Sequence, residues 1–299
     1  MRFLPVNLDA LLVELDDLPQ TLALLASLQA EPIDGIDELV PAARTIMVRF
    51  RPTTVTHDAL VERIGRRSLA GPVERASTRI EIPVDYDGED LGDVAQMLGI
   101  SRDEVIRRHT GSDYTVAFTG FAPGFAYLSG GHPSLNVPRR TTPRTRIPAG
   151  AVGLAGAFSG VYPQASPGGW QIIGVTATPM WDLGRDVPAL LQPGFTVRFV
   201  DVSGQRVAVT PAPQATAIDT PSHHGPALVV RSTGLQALFQ DLGRHGQAGQ
   251  GVSASGAMDQ GALRAANRLV GNASDAACVE IVYGGFQVTS LGDTVVAFA

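Results

Sequence analysis

Four arginines, Arg139, Arg140, Arg144 and Arg146, crowd into eight consecutive positions of a chain whose formal net charge is −6. A guanidinium is planar, permanently charged and carries a fork of N–H donors that matches a carboxylate or a phosphate. In an acidic chain this cluster is the candidate anion clamp. Side chains alternate along extended backbone, so at least two of the four are expected to face solvent. The cluster lies inside a stretch, Phe118 to Gly174, where Gly and Pro recur between short β-type runs. Glycine permits positive φ and close backbone approach, while proline fixes φ and removes a donor. Gly120, Pro123, Gly124 and Phe125 read as a loop whose amides face a bound group, with the Tyr127 ring and hydroxyl beside it. A barrel corner would use the same residues. Ser166, Gly168, Gly169, Trp170 and Gln171 bring a hydroxyl, a glycine pair, an indole and an amide that can line a small-molecule pocket. Trp170 as ordinary core is the competing reading. His109 closes a helical stretch and suits either acid–base work near neutral pH or a place at the negative end of a helix. His109 and Tyr127 are the candidate catalytic groups.

Other chemistry is excluded by what the sequence lacks. All 23 basic residues are arginine. Without lysine the chain cannot carry biotin, form a Schiff base or supply a Walker-type lysine. Cys278 is the only cysteine, which rules out an intrachain disulfide and a cysteine metal cage. His132, His223 and His224 lack partners at ligand spacing, so no metal site is expected. GVSASG departs from the nucleophile-elbow pattern, and HGQAGQG has too few positive features for a phosphate loop. The acidic balance argues against nucleic acid. No run of transmembrane length and no signal peptide is evident, which sets the expectation of a cytoplasmic protein.

These residues need elements to hold them. Alternation predicts strands at 10–15, 36–40, 45–50 and 78–84, and leucine spacing predicts helices at 18–29 and 57–67. The order β-α-β-β-α-β is that of a ferredoxin-like unit. Leu91 to His109 reads as two short helices around a glycine, the second opened by a Ser101–Glu104 capping box. A DNA-binding helix-turn-helix would share this pattern, but the surrounding charge is wrong for it. From Tyr114 to Val200 short strands and frequent turns suggest a closed or sandwiched antiparallel sheet. Residues 211–226 read as a linker, followed by strands near 227–231, 237–240, 279–282 and 293–299 and a helix at 261–270.

GFAPGFAYL, VPRR, TPRTRIPAG and VYPQASPGGWQIIG together resemble the KipI/allophanate hydrolase subunit 1 family, also known as the B-type subunit (PxpB) of 5-oxoprolinase. A second resemblance begins near Leu228: the segment LQALFQDLGRHGQAGQGVSASGAMDQGALRAANRLVGNASDAACVEIVYGG resembles the opening of the KipA/allophanate hydrolase subunit 2 family, the C-type (PxpC) partner. The match implies an α+β protein: a ferredoxin-like domain (1–87), a cyclophilin-like β-barrel (88–210), a linker (211–226) and the N-terminal part of a β-rich carboxyltransferase-like domain (227–299). In that last part Gln240, Asp241, Arg244, Ser255, Asp259, Asn267 and Glu280 match the C-type family.

The implied activity is that of a component of ATP-dependent 5-oxoprolinase, opening 5-oxo-L-proline to L-glutamate with a separate A-type (LamB/YcsF) subunit. ATP, with or without Mg, is the implied cofactor, and no biotin is attached to this chain. The B-type and C-type parts are expected to pair within or between chains in a hetero- or homo-oligomer. Two alternatives share the resemblance. One is a carboxyltransferase or allophanate hydrolase-type component of a biotin-dependent urea carboxylase-like system. The other is a non-catalytic inhibitor of a histidine kinase.

Overall fold

The computed structural model describes residues 1–69, 78–204 and 227–299; the expected linker, 211–226, lies outside them. Among the described residues two compact units form. Residues 1–69, 78–204 and 246–253 build the first, and residues 227–245 and 254–299 build the second. No helix among them is long and apolar enough to cross a membrane.

The first unit opens with a four-stranded antiparallel sheet. Strands β1 (Arg2–Asn7), β2 (Ala10–Glu14), β3 (Ile36–Pro41) and β4 (Thr45–Phe50) lie in the order β1-β2-β4-β3. Helix α1 (Leu18–Ala30) is capped by Asp17, which accepts the Gln20 amide at 2.9 Å, and α2 (His57–Gly65) is capped by Thr56. Each cap accepts a first-turn amide that has no partner within the helix. Leu24, Leu28, Leu60 and Ile64 of the helices share a core with Leu11, Val13, Ile46 and Val48 of the sheet.

The ferredoxin-like expectation departs from the structure at one strand. That topology would place the sixth element, β5 (Arg79–Val84), beside β2. Instead β1, which the residue pattern does not reveal, occupies that edge, and β5 pairs in parallel with β13 (Thr196–Asp201) in another sheet. The β1–β2 hairpin closes across a tight turn, with Asn7 opposite Ala10, so the edge is filled locally at little loop-closure cost.

The second sheet of this unit has seven strands. Besides β5 and β13 it contains β6 (Asp113–Thr119), β7 (Ala126–Ser129), β9 (Ala151–Ala155), β10 (Phe158–Val161) and β12 (Gln171–Val175), in the order β12-β9-β10-β7-β6-β13-β5. The two edges meet: the Asp85 amide donates to Val175 at 2.8 Å and the Val175 amide returns to Asp85 at 2.9 Å. The result is a nearly closed, barrel-like sheet with few open edges. A separate two-stranded pair, β8 (Arg144–Ile147) and β11 (Ser166–Gly168), carries the arginine and SPGG segments.

Helices α3 (Leu91–Leu98) and α4 (Arg102–Thr110) bury Leu91, Val94, Ala95 and Val105 in the barrel's core cluster, so their apolar faces serve packing rather than a nucleic-acid groove. Gly99 ends α3 in the left-handed conformation at φ 66°, and Ser101 caps α4 through the Glu104 amide at 3.1 Å. The Glu104 carboxylate turns to Arg107 and Arg108.

His109 points inward and is 0% exposed, away from solvent. Its Nδ1 lies 2.6 Å from the Tyr86 hydroxyl, its Nε2 lies 2.9 Å from Ser159 Oγ, and its ring stacks on Phe199 at 4.3 Å. Burial drives its pKa down to about 3, which leaves it neutral and satisfied by two hydroxyls at physiological pH. The catalytic assignment of His109 is therefore corrected: it is a structural histidine.

In the second unit β14 (Leu228–Thr233) pairs with β17 (Phe286–Ser290), and β15 (Gln236–Gln240) pairs with β16 (Cys278–Val282). Helix α5 (Gln260–Leu269) follows the Asp259 cap. The strand expected at 293–299 is not formed; the pairing partner of β14 lies earlier, at β17. Only Leu263 and Asn267 of this unit are buried among the described residues, while Phe239, Met258 and Tyr283 stand largely exposed.

The buried histidine makes acid stability predictable. The unfolded chain protonates His109 below its ordinary value of 6.5, whereas the folded chain does so only near 3. Stability should therefore fall as pH drops below about 6.5, by up to about 1.4 kcal/mol per pH unit from this group. Denaturant titrations of wild type and His109→Gln between pH 7 and pH 4 test this. The variant should lose that part of the slope even if it is less stable throughout.

Candidate functional site

The arginine cluster divides into two pairs with different fates. Asp90, 1% exposed, stands at the N-terminus of α3. Arg144 grips its carboxylate with two nitrogens at 2.7 and 2.8 Å, and Arg140 adds a third contact at 2.6 Å. The Ile172 amide of β12 donates to the same carboxylate at 2.7 Å. Burial opposes the charge on Asp90. Hydrogen bonds from Arg144 and Ile172, with the charges of Arg144 and Arg140, outweigh it and hold the pKa below the usual carboxylate range. Arg140 and Arg144 are thus internal counter-ions, which corrects their reading as an anion clamp. Arg139 and Arg146 are exposed and make no ion pair among the described residues.

The loop from Gly120 to Phe125 is also less open than its composition suggests. The amides of Gly120, Ala122 and Phe125 donate within the loop, to Phe125, Gly120 and Ala122. The Gly124 amide donates to the Gln250 carbonyl at 2.9 Å. Gln250 belongs to a strap, Gly246–Ser253, which lies in the first unit although the sequence places it in the C-type part. Thr119 Oγ1 donates to the Ala248 carbonyl at 2.6 Å, and the Gly246 amide donates to Glu38 at 3.0 Å. A Cβ on Gly251 would stand 2.5 Å from the Ala122 carbonyl oxygen, so only glycine passes there. The expectation that the Gly120 and Gly124 amides face a ligand is corrected accordingly. Pro123 has no amide hydrogen to offer.

Around this loop lies an aromatic cluster. Phe125, Tyr162 and Trp170 are buried together, with Tyr127 and Phe158 packed against them. Phe125 meets Trp170 edge-on at 5.4 Å, and Tyr127 stacks on Phe118 at 4.4 Å. Arg139 lies close enough for its charge to act on both Tyr127 and Tyr162. Burial nonetheless raises both phenols, Tyr162 to about 12, so each keeps its proton and remains a hydrogen-bond donor at neutral pH. Held protonated, Tyr127 can serve as a hydrogen-bond or proton donor and not as a base. Ser166 Oγ is buried without a hydrogen-bond partner among the described residues. Phe121, at the loop tip, is 58% exposed with φ 70° and touches Phe125 and Tyr162 edge-on.

The remaining expected residues are mostly structural. Gly168 admits the Tyr162 hydroxyl where a Cβ would collide with it. The Gly169 carbonyl accepts the Arg140 amide at 2.8 Å, and the Gln171 side chain donates to Pro138 at 3.0 Å. Trp170 is core. In the second unit Asp241 accepts the Gly243 amide, Asp259 caps α5 through Ala262, and Glu280 accepts the Met258 amide. Asn267 donates to Ala276, while Gln240 sits opposite Cys278 in the β15–β16 pair. The Arg244 amide donates to Ala254 at 2.7 Å, and Ser255 adopts a positive φ of 53°. These residues hold turns rather than converge on a reacting group.

A separate cavity of about 560 Å³ lies between the first sheet and the barrel, lined by Asp16, Arg44, Tyr114, His132 and Ser159 among others. Sequence reasoning missed Asp90 and Phe121. An acid before a helix signals a cap, and nothing local reveals its distant arginines. Phe121 was hidden because a backbone angle is not written in residue type.

Residues 1–191 match the carboxyltransferase domain, subdomains C and D, and residues 250–299 match its subdomains A and B. The strap and the barrel thus come from two parts of one carboxyltransferase-type architecture. The chain is 45% identical over 171 residues to the B-type subunit of 5-oxoprolinase from Escherichia coli O157:H7, covering 56% of this chain and 78% of that protein. It is 44% identical over 61 residues to the C-type subunit of 5-oxoprolinase from Escherichia coli K12, covering 20% of each. The crystal structure of TTHA0988 superposes with a TM-score of 0.74 at 35% identity, covering 94% of this chain, which spans 57% of that one. The chain belongs to the family of 5-oxoprolinase B-type subunits, fused to a C-type-like part.

Because Asp90 ties α3, β12 and the arginine segment together, removing its charge should be costly. Asp90→Asn should lower unfolding free energy by about 3 kcal/mol, since Arg140 loses its partner and Arg144 keeps only the exposed Glu89 at 3.0 Å. Arg139→Ala should change it by no more than about 0.5 kcal/mol. Asp90's own contribution is present above the ordinary carboxylate range and lost only as pH falls through its depressed pKa. Urea titrations at pH 7 separate the two variants.

Proposed function

We propose that this chain is a component of an ATP-dependent 5-oxoprolinase, opening 5-oxo-L-proline to L-glutamate together with an A-type (LamB/YcsF) subunit. The observation that carries the reading is a B-type relative matched over 78% of its length, in the same chain as a C-type-like segment. The barrel, read as cyclophilin-like, serves as scaffold, and no isomerase activity follows from its fold.

A lactam is a poor electrophile because its nitrogen donates into the carbonyl. Phosphorylation of the carbonyl oxygen activates that carbon toward water, so ring opening is coupled to release of ADP and phosphate. The substrate also carries one carboxylate, which calls for a fixed cation. Arg139 is the candidate: it has no counter-ion among the described residues, whereas Arg140 and Arg144 are held by Asp90. The Tyr127 hydroxyl, close to that charge and protonated, complements it as a donor. A triphosphate needs several cations or free amides, and the Gly120–Phe125 loop offers few. The nucleotide is therefore assigned to the A-type partner or to its surface with this chain, in a cytoplasmic hetero-oligomer.

Reconstitution tests this reading. Full-length protein, the A-type partner, Mg-ATP and 5-oxo-L-proline should release glutamate and ADP in equal amounts, each partner being required. Arg139→Ala should raise the KM for 5-oxo-L-proline about tenfold or more, as expected for loss of a charge-assisted contact. Absence of turnover with a competent partner would refute the reading; unchanged KM would refute the role of Arg139.

A further inference from the structure

We propose that Phe121 is a specificity-determining residue, its ring held against Phe125 and Tyr162 by a left-handed backbone that the Gly246–Ser253 strap keeps in place. The ligand it selects is a compact five-membered lactam, and this part of the inference rests on the oxoprolinase reading above.

Phe121 has φ 70°, a region that disfavours any residue bearing a Cβ and most of all a bulky one. Its neighbour Gly120 and nearby Gly124 would accept such a conformation freely. Burial does not repay the strain, because Phe121 is 58% exposed. Backbone strain at an exposed aromatic is what a binding position shows, and it persists only where surroundings over-determine it. Here the surroundings are identifiable. On the C-terminal side, Gln250 takes the Gly124 amide at 2.9 Å, and its side-chain oxygen takes the Ala189 amide at 3.4 Å. Gly251 packs against the Ala122 carbonyl, directly after Phe121. On the N-terminal side, Thr119 Oγ1 is fastened to Ala248 at 2.6 Å. The strap thus grips the chain on both sides of Phe121 and leaves the ring outside.

The ring's neighbours define the ligand. Phe121 meets Phe125 at 5.3 Å and Tyr162 at 6.1 Å, both edge-on, so its own contacts within the protein are not stacked. Tyr162 is also a residue on which the Arg139 charge acts. A five-membered cyclic amide acid fits this neighbourhood: its compact ring can lie on the exposed phenyl, with its carboxylate directed toward the side of Tyr162 on which the Arg139 charge acts. Such a contact discriminates by the size and apolar surface of the ring rather than by hydrogen bonding.

Two arms test the proposal on the full-length chain. In the first, Phe121→Ala, Phe121→Gly and Phe121→Tyr are assayed with the A-type partner and 5-oxo-L-proline. Both ring-less variants should raise KM about three- to tenfold with kcat changed less than about twofold, the loss expected for one aromatic contact. Phe121→Tyr should restore the wild-type KM. Phe121→Gly should melt higher than Phe121→Ala, because glycine relieves the backbone strain and neither carries the ring. A KM unaffected by ring removal, or equal melting of the two variants, would overturn the assignment.

The second arm needs no turnover. Gly251→Ala should raise hydrogen exchange across residues 118–127 about tenfold or more by unseating the strap. Gly249→Ala, where a Cβ meets open space, should leave it unchanged. Equal exchange in wild type and Gly251→Ala would sink the strap's role. Failure of turnover in every protein, wild type included, would instead refute the oxoprolinase reading and with it the choice of ligand.

Discussion

The barrel depends on one buried carboxylate. Asp90 stands where α3 begins, receives the Ile172 amide from β12, and binds Arg140, just before β8, and Arg144, its first residue. Three pieces that share no local sequence are fixed by one charge. An ion this deeply buried is tolerable only when nearly every lone pair is used, and here two guanidiniums and an amide use them. The arrangement also decides which arginines remain for other work. By absorbing Arg140 and Arg144, Asp90 leaves Arg139 as the cation beside the aromatic cluster.

Much of the scaffold was legible in the sequence because it follows local rules. The leucine spacing of α1 and the alternation of β4 predicted their bounds within a residue or two, since each element buries one regular face. The Ser101 cap of α4 was readable for the same reason. Long-range choices were not. Alternation in β5 says that it is a strand, but not that its partner is β13 rather than β2. The hairpin of β1 lacks a clean apolar period, with Arg2, Pro5 and Asn7 among its six residues, so its pattern does not announce a strand.

The candidate site was legible in residue types and misread in their allegiances. The segment rich in Arg, Gly and aromatic residues does converge, with Phe125, Tyr127, Trp170 and Arg139 gathered at one place. What composition could not reveal was which polar groups were already engaged. His109 looked like an acid–base group and is a neutral core residue between two hydroxyls. The Gly124 amide looked free and belongs to Gln250. In each case the deciding partner is distant along the chain.

The strap has a consequence for how the two family segments meet. Thr119 and Ala248 are separated by 129 positions, and Glu38 and Gly246 by 208. Joined in one polypeptide, such groups meet at an effective concentration set by chain length, typically millimolar for short flexible connections and lower for long ones. Carried on separate polypeptides, the same few bonds would have to overcome the translational and rotational entropy of association. Fusion therefore keeps the strap and the loop it touches together in fixed one-to-one stoichiometry at any dilution.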